Sequence, residues 1–412
     1  MRDRGYLFQC TSLSSLDDTM LSSSPSKPFS AYLGFDATAD SLHVGSLLQI
    51  MILRHLQRSG CRPVVLVGGG TSKVGDPTGK DESRKMLTDE QIQGNIEGIS
   101  KVFKKFMAFE GDASAEESPP GPPAILVNND SWLSSLNYLS FLRDFGPLFT
   151  INRMLSFTSV QERMARDSPL TFLEFNYMIL QAFDFLKLNE EHGVKLQLGG
   201  SDQWGNIVSG VELTRRKGGE QVFGLTAPLI QTSDGRKMGK TEGGAVWLNE
   251  DKLSVYDYWQ FWRNTSDEDV IRFLKLFTEL PLPEIEKMEA TMTGSALNAA
   301  KMTLADEATS LLHGRSHLPA IHETAKSMFG GAGTTDTSQL PKFSAPRGTR
   351  VIDALVGLGF ASSKKEAKRL IAGGGCRVRD EKVVDELAEL DGDEAELVLR
   401  AGKKKAGLVV FE

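Results

Sequence analysis

Four segments of this sequence gather residue types able to handle anions. In YLGFDATADSLHVGS (32–46), Asp36 and Thr38 form a polar turn, Ser41 is a candidate helix N-cap, and His43, Gly45 and Ser46 fall in the first helical turn. Unpaired backbone N–H groups and the helix dipole attract a phosphate at such a turn, with His43 and Ser46, three apart, on one side of it. HxxS alone is a weak pattern, and a His capping a helix end satisfies it equally. VGGGTSKVGDPTGKDESR (67–84) sets Asp76, Lys80 and Arg84 among glycines, but Asp81 follows the GK pair, so the GxxxxGK[ST] phosphate-loop spacing fails. This loop reads as a phosphate or ammonium site, or as a tight structural turn. LQLGGSDQWGN (196–206) brings Asp202 and Gln203 where a ribose or carboxylate could be held, with a Ser201 helix cap as the plain alternative. SDGRKMGKT (233–241) carries Lys237 and Lys240 between glycines, suited to closing on a polyphosphate; taken alone it also reads as a solvated basic loop.

These loops need elements to hold them. Candidate strands at Phe29–Phe35, Pro63–Val67, Ala124–Val127 and Val194–Leu198 each run into a loop rich in Gly, Asp or Asn. Helical periodicity follows at Leu42–Ser59 and Asp202–Lys217. Strands alternating with helices predict an α/β domain with a mainly parallel sheet, and in such sheets ligands bind at the carboxyl ends of the strands. Gly111–Pro123 reads as an exposed loop, Leu253 to about Met328 as an α-helical domain, and Gly330–Gly348 as a flexible linker. The expected organisation is a catalytic domain over 1–230, the lysine loop and α-helical domain over 231–330, a linker over 331–348 and a small α+β unit over 349–412.

Length and composition bound the rest. A chain of 412 residues calls for two or three domains, and 40% apolar with 25% charged residues excludes a disordered or fibrous chain. The longest apolar runs fall far short of the roughly 18–20 residues needed to span a bilayer. Cys10, Cys61 and Cys376 lie far apart without metal-ligand spacing, which predicts neither a disulfide frame nor a metal site. No secretory signal is visible. The net charge of −7 argues, for the chain as a whole, against a nucleic-acid partner. That average conceals a difference: residues 341–412 hold 14 Lys and Arg against 12 acids, and the remainder holds 33 against 42.

HVGS (43–46) resembles the HIGH signature, and KMGKT (237–241) the KMSKS signature, of class I aminoacyl-tRNA synthetases. YLGFDATADSLHVGS, VGDPTGK, FNYMILQAFDF and LGGSDQWGN narrow the resemblance to tyrosyl-tRNA synthetases of the bacterial or organellar type, over nearly the whole chain. It implies a Rossmann-like catalytic domain and a ligase that activates L-tyrosine with ATP, taken as the magnesium complex, and passes it to tyrosine tRNA. No tightly bound cofactor is implied.

By the same resemblance, Tyr32 and Asp184 hold the tyrosine hydroxyl. Asp76, Asn129, Tyr177 and Gln181 surround the substrate's amino group and ring, and Gln203 lies near its carboxylate. Tyr177, Gln181 and Asp184 share one stripe of an otherwise apolar helix, and polar groups so placed need polar partners. Thr38, His43 and Ser46 would act on the polyphosphate, over which Lys80, Arg84, Lys237 and Lys240 close. Gly34, Asp36, Gly45 and Asp202 would line the ATP site. Two departures stand out: Ser46 replaces the final His of the first signature, and Gly239 and Thr241 replace the two serines of the second.

The C-terminal unit resembles an RNA-binding domain shared with a small-subunit ribosomal protein. Lys364, Lys365, Lys368, Arg369, Arg377 and Arg379 are its candidate tRNA contacts, although a solvated charged helix fits the same residues. The resemblance also implies a homodimer formed around Asn152–Phe175, no membrane partner, and residence in the cytoplasm or, for a eukaryotic source, the mitochondrial or plastid matrix. The rival readings are tryptophanyl-tRNA synthetase, which shares fold and signatures, a catalytically silent tRNA-binding paralogue, and a simple nucleotidyltransferase.

Overall fold

A computed structural model describes residues 1–76, 87–111, 119–165, 169–241, 244–330, 340–379, 381–391, 394–402 and 405–411. The strand signals become a six-stranded sheet of β1 (Gln9–Cys10), β2 (Ser30–Asp36), β3 (Arg62–Gly68), β4 (Ile125–Asn128), β5 (Val194–Gly200) and β6 (Phe223–Ala227). Their spatial order is β1-β6-β5-β2-β3-β4. All neighbours are parallel except β1, which pairs antiparallel with β6 at the edge. The central strands are apolar on both faces, as a sheet covered by helices on each side requires. Leu33, Phe35, Val65, Val67, Leu196 and Leu198 face one core, whereas Tyr32, Val64 and Leu66 face the other.

The first core is covered by α1 (Val44–Arg58) and α2 (Asp89–Phe106), and the second by α3 (Phe172–His192). Thr88 with Gln91, and Thr171 with Glu174, form reciprocal capping boxes that start α2 and α3, and Gly193, at φ 62°, ends α3 in the left-handed region. α4 (Trp204–Arg216) connects β5 to β6. From β2 the chain builds outward through β3 and β4, then returns to lay β5 on the other side of β2. The crevice beyond the carboxyl ends of β2 and β5 is therefore a topological switch point, where α/β sheets bind ligands.

The helical part comprises α5 (Val255–Arg263), α6 (Val270–Phe277), α7 (Leu282–Thr291), α8 (Ser295–His313) and α9 (Leu318–Gly330). Trp262 organises its core, with ring centroids 4.9 Å from Phe277 and 6.1 Å from Phe273. It is joined to the sheet domain by partly buried polar ties. Arg54 of α1 grips Glu279 at 2.7 and 3.1 Å and also donates to Phe106 O. Arg4 donates to the carbonyls of Lys275, Thr278 and Leu280 around the end of α6, so charge and hydrogen bonds meet the helix's unpaired acceptors.

The C-terminal unit contains β7 (Lys342–Ala345), α10 (Val351–Gly357), α11 (Lys364–Ala372), β8 (Cys376–Val378), β9 (Glu381–Lys382), β10 (Glu396–Ala401) and β11 (Lys405–Phe411). Its sheet order is β9-β8-β10-β11-β7. Leu397, Leu399 and Val409 pack with α10 and α11, while Ala406 and Leu408, on the opposite face of β11, join the main core. Among the described residues no helix is long and apolar enough to cross a membrane.

Candidate active site

A cavity of about 430 Å³ opens at the switch point between β2 and β5. Along β2, Tyr32 lies at its floor, while Gly34 and Asp36 lie nearer the mouth. Tyr32 is 1% exposed, and its hydroxyl is buried without a hydrogen-bond partner among the described residues. Asp184, also 1% exposed, projects from α3 into the same floor. Its carboxylate accepts from Asn129 Nδ2 at 2.9 Å and from Trp132 Nε1 at 2.8 Å. Burial lifts the Asp184 carboxyl to about 7, against the two hydrogen bonds that favour its ionised form, with the nearby Asp36 charge adding to the rise. Burial, with Asp184 beside it, also raises the Tyr32 phenol.

Asn129 does more than reach Asp184. Its Oδ1 accepts from Gly70 N at 2.8 Å and its Nδ2 donates to Thr71 Oγ1 at 3.0 Å, so one amide ties the loop after β3 to α3. Thr71 Oγ1 in turn donates to Asp36 Oδ1 at 2.9 Å, and Tyr177 OH sits 3.2 Å from both Asp36 oxygens. The triple glycine has a steric reason here: a β-carbon on Gly69 would stand 2.3 Å from Asn128 Oδ1.

A second polar chain lines the adjacent wall. Gln203 Nε2 donates to Asp76 Oδ2 at 2.8 Å, and Asn206 Nδ2 donates to both Gln181 Oε1 and Gln203 Oε1. Asp202 completes this wall; burial, then the Asp76 charge, raises its carboxyl, against its local backbone N–H groups and Lys237.

Thr38, His43 and Ser46 line the mouth. The helix cap is not Ser41, whose hydroxyl is directed to Leu42 O and Asn249 Oδ1. His43 itself caps α1, its Nδ1 accepting from Gly45 N at 2.9 Å, because the chain stays non-helical two residues further than a Ser41 cap needs. The acceptor role of Nδ1 leaves the imidazole proton on Nε2. Gly45 lies behind His43, with its backbone facing Met238. Lys237 is exposed on the second loop, and Lys240 pairs through its backbone with Ala245. Lys80 and Arg84 lie outside the described residues.

The sequence-predicted residues on β2, the β3 loop, α3 and the β5 loop thus meet around one cavity. Thr71, Trp132 and Asn206 escaped sequence reasoning, although each stands within or just beyond a segment already singled out: GGGTSK, the stretch after Asn129, and SDQWGN. Gln197, paired in register with Tyr32, also lines the floor. Among the described residues no group of three His, Cys, Asp or Glu could hold a metal.

In the C-terminal unit, Lys364, Lys365, Lys368 and Arg369 are exposed on α11, opposite buried Ala367 and Ile371. Lys364 pairs with Asp353 at 2.6 Å, Lys368 with Glu386 at 3.2 Å, and Arg379 with Glu394 at 2.9 Å. Arg377 is exposed on β8.

Residues 24–330 match the profile of class I tRNA synthetases for tryptophan and tyrosine, and the chain belongs to that family. Within it, the chain falls among the tyrosine–tRNA ligases. It is 53% identical over 409 residues to the tyrosine–tRNA ligase of Zymomonas mobilis, covering 99% of this chain and 97% of that one. It is 51% identical over 415 residues to that of Rhodospirillum rubrum, covering 99% and 96%. A crystal structure of a C-terminally truncated mitochondrial tyrosyl-tRNA synthetase from Aspergillus nidulans superposes with a TM-score of 0.68 at 29% identity, over 80% of this chain and 92% of that one.

The Asp184 environment has a measurable sign. Its folded value of about 7 lies above that of an unfolded aspartate, so this group favours folding less and less as pH rises from about 4 to about 7. Urea unfolding across that range is expected to lose this slope in Asp184→Asn. Trp132→Phe, which removes a donor to the carboxylate, should move the Asp184 titration seen by carboxyl NMR upward by about one unit.

Proposed function

We propose that the chain joins L-tyrosine to tyrosine tRNA in two steps within this cavity. The observation that carries the residue-level reading is that Tyr32 and Asp184 both line the buried floor, with His43 at the mouth. A phenol hydroxyl donating to Asp184 and accepting from Tyr32 OH would satisfy both groups. Phenylalanine would leave them unpaired in a buried site; tyrosyl-tRNA synthetases are themselves the standing example of that asymmetry. An indole, which carries a single N–H donor and no hydroxyl, cannot complete the same pair.

Bound in this way, the amino acid directs its ammonium toward Asp76, Tyr177 and Gln181 and its carboxylate toward Gln203. A carboxylate oxygen then attacks the α-phosphate of ATP, presented as its magnesium complex, and the bond to the β-phosphate oxygen breaks to release pyrophosphate. No protein nucleophile is needed. Thr38, His43 through its Nε2–H, Ser46 and the loop cations Lys80, Arg84, Lys237 and Lys240 stabilise charge on the departing pyrophosphate, while Gly34, Asp36, Gly45 and Asp202 hold the adenosine part. In the second step a hydroxyl of the terminal tRNA ribose attacks the adenylate carbonyl and AMP departs. The cytoplasm, or an organelle matrix, is the setting this reading implies.

Pyrophosphate exchange is expected to require tyrosine and to be silent with tryptophan. Tyr32→Phe should lower the preference for tyrosine over phenylalanine about tenfold, the worth of one hydrogen bond to a buried polar group. Exchange with tryptophan alone would overturn the assignment.

The exposed cations of α11 and β8 support a tRNA grip by the C-terminal unit. Lys365→Ala with Arg369→Ala is expected to raise the tRNA KM and reduce the salt slope of binding by roughly one to two, with pyrophosphate exchange unchanged. An unaltered tRNA KM would remove the C-terminal unit from this role.

Leu139, Ile151, Met164 and Phe172, 58–73% exposed, support pairing of two chains around residues 152–175. Light scattering should give twice the 45.2 kDa chain mass, and a monomer would exclude the pairing.

A further inference from the structure

Gly239 departs from the serine of the KMSKS signature, and its surroundings give that departure a physical cause. Its φ is +83°, a backbone region that disfavours side chains. A β-carbon on Gly239 would stand 2.7 Å from Gly45 N and 3.1 Å from His43 Nδ1. From the other side, a β-carbon on Gly45 would stand 2.5 Å from His43 Cε1, 2.8 Å from His43 Nδ1 and 2.9 Å from Met238 O. The two signatures therefore meet main chain against main chain, with a glycine on each side.

This meeting is laced in place. Val246 N donates to Gly239 O at 3.0 Å, Val44 N to Val246 O at 2.9 Å, and Leu248 N to Leu42 O at 2.9 Å. Met238 N donates to Ile230 O at 3.2 Å, and the Met238 side chain is buried in the main core. Next to this anchor, Lys237 is exposed, and its charge reaches Asp202 on the cavity wall.

We propose that Gly239 is a positioning residue for the activation step. By carrying no side chain it lets the second loop seat on the turn of the first signature, and this seat directs Lys237 toward the departing pyrophosphate. The inference rests on the tyrosine-activation reading above. A serine at this position meets both a disfavoured backbone conformation and the Gly45 amide, so it holds the loop off the turn.

The test uses the full chain with Gly239→Ala and Gly239→Ser. Three quantities are measured: the rate of trypsin cleavage after Arg236 and Lys237, the single-turnover rate of tyrosyl-adenylate formation, and equilibrium tyrosine binding. An unseated loop should be cleaved about tenfold faster or more, since cleavage follows local opening. Adenylate formation should slow about tenfold or more through lost positioning, with the tyrosine Kd held within about twofold.

Unchanged cleavage would overturn the seat, as would faster cleavage with an unchanged adenylate rate. If the unmodified chain forms no tyrosyl-adenylate, the activation reading fails instead, and the cleavage comparison still judges the seat.

Discussion

The site depends on one amide. Asn129 holds the Gly70 N–H, the Thr71 hydroxyl and the Asp184 carboxylate at once, joining the loop after β3 to α3 at the floor of the cavity. Each of these groups is buried, and an unpaired buried polar group costs about 1–3 kcal/mol. The hydrogen bonds are therefore obligatory, and satisfying them fixes where Asp184 and Asp36 lie. The family resemblance marks Asn129 as a contact for tyrosine; its hydrogen bonds make it the support on which two carboxylates rest.

A different kind of order holds the mouth. At the floor, side chains meet side chains; between the two signatures, backbone meets backbone. Antiparallel bonds from 42–44 to 246–248 and the opposed glycines leave little room for sequence variation at the contact itself. Arg236 and Lys237 beside it are exposed. Tight seating and solvated charge on adjacent residues suit a loop that must recover one geometry after each turnover.

Much of this was legible in the sequence, for identifiable reasons. The apolar runs of β2, β3 and β5 lie deep in a parallel sheet, where burial on both faces leaves an uninterrupted signal. Edge strand β1 has only two residues and offered none. Trp132 carries no such signal, because nothing in its spacing to Asp184, 52 residues on, reveals an N–H aimed at a carboxylate. Ser41 has the better capping chemistry in isolation, yet its hydroxyl is taken by Asn249, 208 residues away. The cations of α11 show the same limit. Helical spacing put them on one exposed face, but the acids paired with Lys364 and Lys368 come from α10 and from the segment before β10.

The carboxyl of Asp184 sits near neutrality while facing a space that a ligand hydroxyl would fill. A hydroxyl that donates to this group selects its ionised form. A ligand whose hydroxyl donated to Asp184 would therefore expel protons into solution below about pH 7, and the heat of binding would include the ionisation enthalpy of whichever buffer takes them up. Calorimetry in phosphate and in Tris would give different enthalpies for the same contacts, and their difference counts the protons that the buried floor gives up.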